Sequence, residues 1–145
     1  MKKTKELLIY GIVLIVLAVI DIITLAMDFS GGLLDSLTTT DVSMETAKIV
    51  LYVVVAFAVW SILVGLFLGI KGVVESRNAS GSRLHIFLAR FVGVINLVLA
   101  VILGLSLLDS TDLWHDLETF GLCMVDMIFM FSYASAAKAV RNGAE

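Results

Sequence analysis

Two aspartates and one asparagine interrupt long apolar runs. Asp21 closes VLAVID at residues 16–21, Asn96 stands in GVINLVLAVI at 93–102, and Asp126 stands in CMVDMIF at 123–129. Carboxylates and a carboxamide set among aliphatic side chains suit one kind of chemistry, which is to hold a cation or pass a proton where charge is otherwise excluded. A charged aspartate in the middle of a lipid-embedded helix costs about 2.5–3.5 kcal/mol even on a lenient scale, so two of them call for a reason. Asp126, Asp21 and Asn96 are therefore the candidate ion-binding residues. Each also has a milder explanation: a protonated carboxyl bonded to a neighbouring helix for Asp126, headgroup water for Asp21, and a hydrogen bond between helices for Asn96. Thr24 and Asp28 share a helical face with Asp21, and Cys123, Met130 and Tyr133 share one with Asp126.

The elements that must position these residues follow from composition. Of 145 residues, 60% are hydrophobic and 16% charged, whereas soluble domains average about 45–50% and ~25%. That much apolar surface implies lipid as the solvent. Crossing ~30 Å of hydrocarbon takes about 20 helical residues. Four stretches qualify, roughly 6–27, 48–70, 84–108 and 118–137. Backbone amides in lipid must bond within their own segment, so each stretch is expected to be a helix. No proline kinks them. Lys2, Lys3 and Lys5 before an apolar run mimic a signal peptide, but the run from Leu7 to Met27 is too long for one and reads as a retained first span. The expectation is a single transmembrane domain over 1–145, an all-α integral membrane four-helix bundle.

Charge sets the direction. Lys2, Lys3 and Lys5, then Lys71, Arg77 and Arg83 with one Glu75, then Lys138 and Arg141 mark one side. Asp28, Asp35, Asp41, Glu45, Asp109, Asp112, Asp116 and Glu118 mark the other, with Lys48 as the nearest cation. Basic residues collect in the cytoplasm, so the N-in/C-in topology is expected, in a membrane taken to be a bacterial plasma membrane. In the acidic connections, Asp41 or Ser43 can cap the second span with Glu45 in its first turn, and Ser110, Thr111 or Asp112 can cap a short interfacial helix presenting Trp114.

The apolar run recurs. Gly11 aligned with Gly93 matches GIVLIVLAVI to GVINLVLAVI, an offset of 82, and Lys71 aligned with Lys138 matches GIKGV to AAKAV, an offset of 67. Two parallel repeated helical hairpins would produce this pattern, and so would chance in a restricted alphabet.

Helices in lipid associate through small residues. Ser61, Gly65 and Gly69 form such a face on the second span, the last two as GLFLG, and Gly93 and Ala100 form one on the third. These faces can serve within one chain or between chains. A homo-oligomer is expected, with the lipid bilayer as surroundings, an unidentified membrane partner as the other candidate, and no nucleic acid.

Cys123 is the sole cysteine, which excludes an internal disulfide. His85 and His115 fall on opposite sides, and each reads as an interfacial polar residue. No metalloprotease, nucleophile-elbow, P-loop or dinucleotide motif is present, so no cofactor, metal or enzymatic activity is expected. In size and span count the chain is similar to small multidrug-resistance transporters. It has no glutamate in the corresponding part of the first span and its loops are longer, so no family follows. Two functions stand. One is an oligomeric cation or proton channel or transporter. The other is a non-transporting scaffold or accessory subunit acting through helix–helix association.

Overall fold

In a computed structural model, residues 2–30, 44–78, 83–107 and 113–143 are described. They form four helices, α1 (Lys2–Ser30), α2 (Met44–Arg77), α3 (Leu84–Ser106) and α4 (Leu113–Arg141). Among the described residues there is no strand, and all four helices are long and apolar enough to cross a membrane. Long, predominantly apolar runs without proline let the backbone amides bond within their own segment, which is why the helices are long.

The helices outrun their apolar cores. At about 1.5 Å per residue the 34 residues of α2 extend some 50 Å, well beyond ~30 Å of hydrocarbon. The sequence places 71–77 in a connection, but these residues continue α2 to Arg77. Polarity alone does not stop a helix, and this segment has no proline. Arg77 in the last turn suits the helix dipole. Likewise α4 starts at Leu113, so Trp114, expected on a separate interfacial helix, lies in the first turn of α4 and is largely exposed. Glu45 stands in the first turn of α2. The expected caps at Asp41, Ser43, Ser110, Thr111 and Asp112, and the acids Asp35 and Asp109, lie outside the described residues.

Consecutive helices run antiparallel. Most of the packing is between α1 and α2 and between α3 and α4, with α1 also meeting α4. The α1–α2 seam is built on glycine. A Cβ placed on Gly11 would come within 2.8 Å of the Gly69 carbonyl oxygen and the Val73 nitrogen, both backbone atoms, so only glycine allows this approach. The α3–α4 seam is instead glycine on aromatic, with Gly93 against the Phe131 ring and Gly104 against Phe120. Tyr10 of α1 meets Phe129 of α4 edge to face, centroids 5.0 Å apart.

The core lies towards the end of the bundle that carries both termini. Leu7, Leu14, Val64, Leu68, Ile86, Ala89, Tyr133, Ala134, Ala136 and Ala137 form it. Towards the opposite end the exposed surface is broadly apolar, with Ile22, Ile23, Val53, Val54, Val101 and Leu105 among its members.

Candidate functional site

The far end, away from the termini, holds a cavity of about 310 Å³ to which all four helices contribute. It exists because α2 makes few contacts with α3 and α4. The close ones, between Glu75 and His85 and between Leu68 and Tyr133, are at the termini end. Asp21 from α1, Ser61 and Trp60 from α2, Asn96 from α3, and Cys123 and Asp126 from α4 face it across an otherwise apolar lining. Asp21, Ser61 and Asp126 also line an adjoining groove of about 400 Å³ that reaches Thr24. The three polar residues singled out in the sequence, on three different helices, thus stand around one space. Both aspartates are exposed and Asn96 is half-buried.

The small residues expected at packing faces divide. Gly69 lies against Gly11 and Ile15, and Gly65 approaches Ala18. Gly93 and Ala100 are buried. Ser61 is exposed and its place is on the cavity wall.

The cavity ends on Leu14 and Val64, and beyond them come the buried Leu68 and Tyr133. The Tyr133 hydroxyl donates to the Leu68 carbonyl at 2.7 Å, tying α4 to α2. Gly72 makes room for that ring, since a Cβ there would lie 2.9 Å from its edge. The ring in turn meets His85 of α3 edge-on, centroids 6.3 Å apart.

One further turn towards the termini lies a cluster that sequence reasoning did not assemble. Glu75 of α2 has a side chain of 0% exposure. Arg141 of α4 donates to both its oxygens, Nε to Oε2 at 3.1 Å and Nη2 to Oε1 at 3.3 Å. His85 Nε2 lies 3.2 Å from the same Oε2, an ionic distance if the ring is protonated. By sequence, Glu75 is one acid in a basic connection, His85 an interfacial residue and Arg141 a tail residue. His85 is in fact fully buried. The available signal was Glu75 itself, the lone acid in a stretch holding Lys71, Arg77 and Arg83.

The two clusters do different things chemically. The far-end cavity presents two carboxylates, a carboxamide, a hydroxyl and an indole to whatever enters it, which suits a cation. The termini-end cluster is internally compensated, with a guanidinium fork on one carboxylate, and closes the bundle there. About 15 residues of α4, some 22 Å, separate Asp126 from Arg141. Among the described residues no three His, Cys, Asp or Glu side chains converge to hold a metal ion. No family model, no curated protein and no solved structure matches the chain.

Proposed function

We infer that the chain is an integral membrane protein that moves a cation or proton, with Asp126 and Asp21 as the binding groups and Asn96 beside them. The observation that carries this reading is the convergence of these three residues, from three helices, on one cavity. In this reading both termini and residues 78–83 are cytoplasmic, because Lys2, Lys3, Lys5, Lys71, Arg77, Arg83, Lys138 and Arg141 gather at that end. The cavity then opens outward, and the Glu75–Arg141 pair with Tyr133 closes the inner side. A space open to one side and shut on the other fits a transporter better than a continuously open channel.

The scaffold alternative leans on unused small-residue faces. Here Gly11, Gly69 and Gly72 are taken up between α1, α2 and α4, and Gly93 and Gly104 between α3 and α4. Those glycines are therefore used within the chain. Assembly into a homo-oligomer belongs to the same proposal, with the exposed apolar faces shared between lipid and neighbouring copies. The repeated hairpins do as well, although the two seams differ in register. Gly11 meets residues 69, 72 and 73, while the aligned Gly93 meets Phe131.

The test is flux through purified protein in liposomes under an imposed pH or cation gradient. Asp126→Asn is expected to abolish transport while expression and monodispersity persist, and Asp21→Asn to reduce it. Wild-type liposomes with no flux at any pH would end the transport reading. Crosslinking in lipid nanodiscs that gave only monomer would end the oligomer.

A further inference from the structure

A second cavity, of about 230 Å³, lies between α3 and α4 at the termini end. Arg83, Arg90, Lys138 and Arg141 line it together with Asn142, and its apolar wall is Ile86 and Phe87. Helical spacing explains the grouping. Residues 87 and 90 lie on one face of α3 with Arg83 just before its first turn, and 138 and 141 on one face of α4 with Asn142 just after its last, so the seam between the helices brings four cations around one space. No acidic side chain lines it among the described residues. Glu75, which Arg141 bonds, is not part of the lining. That pairing fixes the Arg141 guanidinium at the cavity wall without neutralising the other three cations.

Like charges gathered around one space repel, and a bound anion would relieve this. The site has the donors for a phosphate. Arginine offers planar forks, lysine a point charge, and the amino-terminal end of α3 contributes partial positive charge. The wall continues as apolar surface. Phe87 is 66% exposed and stacks on Phe91, 48% exposed, with centroids 6.4 Å apart and ring planes within 13°. These rings run from the cations towards the middle of α3, along the line an acyl chain would follow below its headgroup. A soluble phosphate would leave them uncovered.

We propose that the cavity between α3 and α4 is a binding site for the phosphate headgroup of an anionic phospholipid, with its acyl chains on Phe87 and Phe91. The site needs the membrane reading but not ion movement. It differs from diffuse attraction of a basic surface to acidic lipid in using three specified uncompensated cations, a guanidinium held in place by Glu75, and an aromatic floor.

Full-length protein, stripped of lipid in mild detergent, is titrated with phosphatidylglycerol and with phosphatidylcholine of the same acyl chains, and adducts are counted by native mass spectrometry. One phosphatidylglycerol per chain is expected to be retained selectively. The triple change Arg83→Gln, Arg90→Gln, Lys138→Gln should weaken it on the order of 100-fold, and Lys138→Gln alone roughly fivefold. Arg141 is left intact because of its bond to Glu75. Lys71→Gln with Arg77→Gln, cations at the same end but outside the cavity, should change binding less than about twofold. Equal losses in the two sets, or equal retention of both lipids, would overturn the proposal. So would inorganic phosphate displacing the lipid at matched concentration, which would make this a free-anion site. If the triple variant does not fold, the single Lys138→Gln against the Lys71, Arg77 control decides between the same outcomes.

Discussion

Glu75 and Asp126 are both carboxylates carried by long apolar helices, and their surroundings are opposite. Glu75 is sealed at the termini end, bridged by a guanidinium fork and flanked by His85. Around it α2, α3 and α4 close up through Tyr133, and α1 seats its glycine on α2. Asp126 stands at the far end, exposed beside a cavity that it shares with Asp21 and Asn96. A buried acid that finds a cation becomes part of what holds the helices together. An acid that faces a space, with another acid beside it, contributes little to packing and stays available to a ligand. The same side-chain chemistry yields structure at one end and a site at the other, and the difference lies in whether a base from another helix reaches it.

That contrast can be broken or sharpened by measuring thermal or denaturant stability in detergent. The largest effect is expected from Glu75→Ala, which strands Arg141 and His85 and should cost about 3 kcal/mol. A loss below about 1 kcal/mol would mean the cluster is not structural. Adding Arg141→Leu to Glu75→Leu should recover most of the deficit, since an apolar pair can replace a buried ionic one. Gly11→Ala comes next, at about 2 kcal/mol, because its methyl meets the α2 backbone rather than a movable side chain. Gly121→Ala is the matched control. Nothing lies within 4 Å of a Cβ there, so stability should hold or rise by a few tenths of a kcal/mol through helix propensity. Tyr133→Phe removes the one hydroxyl that ties α4 to the Leu68 carbonyl, and about 1 kcal/mol is expected. Asp126→Asn should cost the least of the four site changes, under about 0.5 kcal/mol, even if the proposed transport is lost. A large loss there would make Asp126 a second Glu75 and erase the distinction.

Much of the arrangement was legible beforehand. Composition and run length announced four helices, and Asp21, Asn96 and Asp126 stood out as the polar residues set within their apolar runs. Their meeting around one cavity was not legible to the same degree, because it depends on how each helix is rotated about its own axis. Ser61 shows the sensitivity. Its spacing from Gly65 and Gly69 puts it on the same stripe, yet the stripe leaves the α1 contact before reaching it and Ser61 ends on the cavity wall. Glu75 shows the converse. Its presence among cations was visible, but Lys71, Arg77 and Arg83 are nearer in sequence than Arg141, 66 positions away, which is the base it bonds.

The sequence by itself determined the number of helices, their apolar character and the sorting of basic and acidic side chains to opposite ends. Those properties depend on runs and counts along the chain, and hydrogen bonding within each segment makes them independent of the neighbours. Only the tertiary structure decided which carboxylate is neutralised and which stands open, and which four cations share a cavity. Those outcomes turn on helix rotation and on a few ångströms of separation, set by where glycine admits a backbone and where an aromatic ring holds it away.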